Sequence, residues 1–275
     1  SNADPSYCKK INHTMKRRIP LFLAAVTCIT FSISLSNAQP DRFRYESHSK
    51  VDPEGAGAVQ AKISMFAGEL NLMAASISSL LIGEYLYDDP EYGEPIRFYK
   101  VEDKTGDLRI ENKELEHVDI DEDEHCRWNL QLNRNIPTEL SIEMMAGEGN
   151  VMLEGAQINK LKFEMKAGEA NIDLRNTPVS DLYFKAIAGE ATIDLSGEWK
   201  NDLDAYLKGG VGNLNIQLPR HANIEAEVTG ILGNVEASGL RKLGNRYTRE
   251  ISNRLPTLHI DITGGIGNIN LEVEE

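Results

Sequence analysis

The chain has 275 residues, 41% of them hydrophobic and 26% charged, with a formal net charge of −14. That length and balance suit one large or two modest folded domains, and the negative charge argues against nucleic acid and anionic lipid as partners. Of the three cysteines, Cys8 and Cys28 lie near the N-terminus, so Cys126 has no neighbour for a disulfide in the body of the chain.

Ser1-Asn2-Ala3 reads as the remnant of a removed tag, and Met15 opens a secretory leader. Lys16-Arg17-Arg18 is its basic region, residues 19–35 are its apolar stretch, and Ser36-Asn37-Ala38 supplies small residues for cleavage. Cys28 lacks the small preceding residue that lipidation needs. Cleavage near Ala38 predicts an exported protein of the periplasm or cell surface, without stable membrane insertion, that begins at Gln39. The lost segment carries five basic residues and one acidic, which takes the net charge to −18. Residues 39–57 are expected to be a flexible mature N-terminus.

From residue 58 onward the chain repeats itself. Ala-Gly-Glu recurs at Ala146-Gly147-Glu148, Ala167-Gly168-Glu169 and Ala188-Gly189-Glu190, a step of 21 residues. Aligned on the glycine, seven copies centre on Gly68, Gly147, Gly168, Gly189, Gly212, Gly233 and Gly267. Two residues after it come Leu70, Gly149, Ala170, Ala191, Leu214, Val235 and Ile269, all small or apolar. Three after it come Asn71, Asn150, Asn171, Thr192, Asn215, Glu236 and Asn270, all polar, and the next column is apolar again. This period of two is that of half-buried strands. Before the corner, Leu161, Phe163, Met165 and Ala167 fall on one face, and Lys162, Glu164 and Lys166 on the other. Each copy is therefore two strands with a glycine corner, and so short and regular a step predicts an all-β coil of stacked strands. Pro137, Pro178 and Pro256 punctuate a third, looped side.

Two insertions interrupt the period. Residues 81–139, with a turn signal at Lys104-Thr105-Gly106, predict extra strands. Residues 240–255 carry Arg241, Lys242, Arg246, Arg249 and Arg254, a basic hairpin bulging from an acidic protein. The last strand is expected to form an open edge guarded by Glu272, Glu274 and Glu275, with the protein a monomer or an edge-paired dimer. The predicted blocks are 58–137, N-terminal rungs with an insertion, and 138–275, the C-terminal solenoid.

The runs Phe66-Ala-Gly-Glu-Leu-Asn-Leu72, Ile187-Ala-Gly-Glu-Ala-Thr-Ile-Asp-Leu195, Leu207-Lys-Gly-Gly-Val-Gly-Asn-Leu-Asn-Ile216 and Gly264-Gly-Ile-Gly-Asn-Ile-Asn-Leu271 carry a resemblance. The chain resembles the exported toast-rack proteins, relatives of adhesin-like β-solenoids and of the C-terminal domain of LiaF-like regulators. The resemblance implies a right-handed single-stranded parallel β-helix of about seven or more rungs, with inserted loops or hairpins and no established activity.

No Gly-x-Ser-x-Gly elbow, His-Glu-x-x-His pair or phosphate-cradling loop occurs, so no catalytic residue, cofactor or metal is assigned. Glu148, Glu169 and Glu190, with Asn171 and Asn215, form a surface ladder, read as carboxylates splayed beside Lys162, Lys166 and Lys185 and a structural column of amides. The acidic run 119–126, with His117, reads as a solvated loop. Cys126, Met65, Met144, Met165 and Phe163 read as core. Of the rings, Trp128, Trp199, Tyr183 and Tyr206 are candidates for exposure, and Tyr183 and Tyr206, outward in phase, are the candidate ligand contacts. The expected function is a non-enzymatic binding or scaffold module of the bacterial envelope, its partner a glycan or another envelope protein. The alternatives are a polysaccharide-acting β-helix enzyme and an envelope-stress sensing partner of a membrane regulator.

Overall fold

The computed structural model describes residues 17–18, 43–89, 93–112 and 125–274. The leader otherwise lies outside these residues, as does most of the acidic run with His117. Among the described residues the protein is all-β, one 18-stranded sheet of mixed orientation. The strands are β1 (Arg17–Arg18), β2 (Tyr45–Val51), β3 (Ala58–Ala75), β4 (Leu81–Tyr87), β5 (Ile96–Glu102), β6 (Thr105–Glu111), β7 (Cys126–Asn133), β8 (Thr138–Met152) and β9 (Ile158–Asp173). They continue as β10 (Asp181–Asp194), β11 (Leu203–Val211), β12 (Leu214–Leu218), β13 (Asn223–Thr229), β14 (Val235–Ser238), β15 (Arg241–Leu243), β16 (Arg246–Arg249), β17 (Thr257–Thr263) and β18 (Ile269–Val273).

β3, β8, β9 and β10 stack in parallel with equivalent residues in register, so that Gly68, Gly147, Gly168 and Gly189 lie one over another. Each strand bends at its glycine, and the next copy splits there into β11 and β12. In β9, Leu161, Phe163 and Met165 are buried before the corner, and Ala170 and Ile172 after it. Burial of such side chains contributes about 1.5–3 kcal/mol each. The Phe163 and Phe184 rings stack between rungs with centroids 5.7 Å apart. The third side is looped but hydrogen-bonded, as in Leu153 N–H to the Asp173 carbonyl and Leu174 N–H to the Asp194 carbonyl, both 2.9 Å.

One expected column is wrong. Ala167, placed inward from its alternation, is exposed, and Val211, Ile266 and Leu232 in the same column are exposed too. Met165 and Ala170 are both buried although their positions differ by an odd number, so the inward phase slips by one through the corner. A left-handed glycine re-aims the chain there and breaks the period of two.

The stacking order departs from the chain order at both ends. β7, which has no glycine corner, pairs with the second half of β3, and β6 pairs with the first half, so this later segment lies outside β3. Antiparallel additions extend that end, β5 on β6 and β4 on β7, with β2 on β4 and β1 on β2. Residues 39–57, expected to be flexible, thus include a paired strand, with Ser47, Ser49 and Val51 buried. At the other end, β17 lies between β11 and β13, and β18 between β12 and β14. The last strand is therefore internal, and Glu272 and Glu274 guard no edge. The basic insertion is a hairpin, but β16 pairs with β13 and prolongs the sheet instead of bulging from it.

Candidate functional site

The outward side chains of β6, β3, β8, β9, β10 and β11 line a groove of about 560 Å³. Parallel register decides which of them meet. Tyr183 on β10 pairs directly with Tyr206 on β11, and Lys162 on β9 adjoins Tyr183 from the other side. Neighbouring strands lie about 4.8 Å apart, so the two tyrosines occupy adjacent positions at one end of the groove. Tyr206 is 53% exposed, Tyr183 is half-buried, and the Lys208 ammonium sits 5.8 Å from the Tyr183 ring centroid. The other end is ionic. Arg109 is paired with Asp107 at 2.8 Å, Lys62 reaches Glu111 and Glu143 at 3.4 Å, and Lys162 pairs with Glu164 and lies 3.5 Å from Glu143. The hydrogen bond that Lys162 donates to Glu164 raises the Lys162 pKa, and the hydrogen bond that Arg109 donates to Asp107 raises that of Arg109. The groove thus joins an apolar platform to fixed donors and acceptors, the composition of a site for a polar ligand with a flat face.

The sequence-predicted ladder is brought together on the opposite side of the corner. Glu69, Glu148, Glu169 and Glu190 stand in register. Amides engage three of them, rather than the expected lysines. Asn71 donates to Glu69 at 2.7 Å, Asn150 to Glu148 at 2.9 Å and Asn213 to Glu190 at 2.8 Å. Arg127 also pairs with Glu69. Lys162 is on the other face because the corner separates it from the glutamates. Asn171 donates to Asn150 at 3.0 Å, Asn150 to Asn71 at 3.1 Å and Asn71 to Asn129 at 3.0 Å. Asn215 stands in the same column, but Thr192 intervenes. The register missed Asn129 because β7 lacks the glycine, although Trp128-Asn129-Leu130 repeats the apolar-Asn-apolar signal of Leu70-Asn71-Leu72.

The tryptophans are buried, not exposed. Trp128 Nε1 donates to the Gly93 carbonyl at 3.2 Å and Trp199 Nε1 to the Leu195 carbonyl at 2.6 Å. Cys126 is free and buried, and burial pushes its thiol up to about 12, which suits a core residue and not a nucleophile. The basic cluster on β15 and β16 does not line the groove. No helix of the described residues is long and apolar enough to cross a membrane.

Residues 39–178 and 159–217 match the family described as the N-terminal domain of toast_rack, DUF2154. Among solved structures the chain is similar to a "putative cell adhesion protein" from Clostridium sporogenes, with 25% identity and a TM-score of 0.64 over 83% of this chain and 99% of that one. A "putative adhesin" from Bacteroides fragilis aligns over 81% of this chain and 95% of that one, with 10% identity and a TM-score of 0.26, too low to carry an argument. No curated protein matches the chain.

Proposed function

The chain belongs to the toast-rack family, and from that premise we propose that it is an exported, non-enzymatic, adhesin-like binding module of the cell envelope whose groove holds a glycan. The observation that carries the reading is the register of Tyr183 with Tyr206 at the end of a groove lined by fixed polar side chains. Exposed rings supply flat apolar area, and the flanking Lys162, Asp181 and Glu139 supply hydrogen bonds to hydroxyls. The name of the Clostridium structure, a "putative cell adhesion protein", agrees with a surface role. Export follows from the leader, with the mature chain beginning near Gln39 at the periplasm or cell surface.

On this reading the coil is right-handed, as the family resemblance implies, and its rungs form two blocks, 58–137 and 138–275. The glutamate and asparagine column is structural, because Glu69, Glu148 and Glu190 are engaged by neighbouring amides. An enzyme acting on acidic polysaccharide would need cations and carboxylates together in one groove. The groove's own cations Arg109, Lys62 and Lys162 are each taken up in ion pairs with neighbouring carboxylates, which favours binding over catalysis. If copies pair edge to edge, β14 supplies the edge, since β18 has neighbours on both sides.

A glycan array followed by calorimetry on the best polymer tests the proposal. Tyr183→Ala and Tyr206→Ala should each weaken binding roughly tenfold, about 1.4 kcal/mol. Affinity unchanged in both variants would remove the groove as the site. Cleavage of a uronate polymer that disappears on deleting residues 241–254 would overturn the non-enzymatic reading.

A further inference from the structure

We propose that Glu46, His48 and Glu84 form a binding site for a divalent cation of the zinc class, at the end of the coil built by β2 and β4. None of the three belongs to a repeat, and His48 and Glu84 are 36 residues apart in the chain. Antiparallel pairing sets His48 directly opposite Glu84, with Glu46 two residues along the same face. One donor atom from each lies within 4.8 Å of the others, and His48 Nε2 is 2.7 Å from Glu46 Oε1.

A second observation comes from outside the trio. The asparagine ladder runs in one direction, with Asn171 donating to Asn150, Asn150 to Asn71, Asn71 to Asn129, and Asn129 to Glu84 Oε2 at 2.7 Å. Four amides aligned donor to acceptor polarise one another, and their donor end meets the Glu84 carboxylate. That bond fixes the orientation of Glu84 and leaves Oε1 for a ligand, the arrangement by which outer partners hold the ligands of metal sites. Beneath the trio the backbone is fixed by the buried Ser49 and Tyr85 hydroxyls, 3.0 Å apart, and by Tyr85 packed edge-on to Trp128. Ligands borne on paired strands over a packed core are held more firmly than ligands on loops.

The donor set selects the ion. One imidazole nitrogen with two carboxylates suits zinc and its first-row neighbours, whereas magnesium and calcium take oxygen alone. Donor atoms around tetrahedral zinc lie roughly 3.3 Å apart, and the three donor atoms here lie within 4.8 Å of one another. Three protein ligands leave a fourth position, and the His48 side chain, 56% exposed, opens it to water or to a ligand from outside.

Calorimetry with zinc chloride on the full chain tests the site. The expected result is one saturable equivalent, weakened at least tenfold by His48→Ala and by Glu84→Gln, and unaffected by Lys50→Ala on the same strand. Asn129→Leu, which touches no metal, should still weaken binding by about tenfold. Cobalt loaded in place of zinc should give visible absorption that His48→Ala abolishes, and zinc should raise the melting temperature of the parent but not of that variant. Absence of saturable zinc binding, or binding indifferent to His48→Ala and Glu84→Gln, would overturn the proposal. The test is independent of any glycan, so its failure leaves the groove reading intact.

Discussion

Gly168 has φ +130°, and a Cβ placed on it would lie 1.8 Å from the Gly147 carbonyl oxygen; Gly189 repeats this over Gly168 at 1.7 Å. Both the backbone conformation and the approach of the next rung exclude a side chain, which is why the glycine recurs so strictly. Gly168→Ala should cost at least about 3 kcal/mol, from left-handed strain plus the forced opening of a ladder. Gly209 is the contrast, since a Cβ there meets nothing within 4 Å, and Gly209→Ala should stay within about 0.5 kcal/mol of the parent. Urea unfolding of the pair measures the difference. If both are tolerated alike, the corner is not the constraint. The glycines were legible because this steric demand repeats with the coil. Glu46, His48 and Glu84 were not, because nothing in a single strand announces which residue lies across an antiparallel pair.

At the scale of the element, alternation located the strands of the glycine-cornered repeats, but not β2 or the bounds of the strands between residues 81 and 139. The buried columns hold through Leu72, Val151, Ile172 and Ile193, and the turn at Lys104 joins β5 to β6 as expected, with Asp103 and Lys104 at positive φ. Partner choice was the illegible part. The basic insertion reads as a hairpin, but only the fold shows that β16 covers the outer side of β13, with Tyr247 buried between them and the core. Uncovered, β13 would present unpaired N–H and C=O groups to another chain. Deleting residues 241–249 should therefore turn a monodisperse protein into a self-associating one by light scattering, while any ligand affinity of the distant Tyr183 and Tyr206 persists. A variant that stays monodisperse would show that this edge needs no cover.

At the scale of the whole molecule, an ordinary solenoid loses only a terminal rung when its last strands are removed. This coil should behave differently, because β17 and β18 hold β13 and β14 to β11 and β12. A chain ending at residue 256 should lose protection across residues 220–256, so that trypsin cuts at Arg241, Lys242, Arg246 and Arg249. Resistance of those bonds would mean that β13 and β14 can dock directly on β11 and β12. The sequence alone determined the all-β class, the glycine corners, the polar columns and the outward phase of Tyr183 and Tyr206, because each follows from a local period or a local steric limit. Only the tertiary structure decided the order of the rungs at the two ends, the exposure of Ala167, Val211, Leu232 and Ile266 before their glycines, and the meeting of Glu46 and His48 with Glu84. Those depend on which strand lies beside which, and parallel or antiparallel pairing across dozens of residues leaves no mark on the alternation of any one strand.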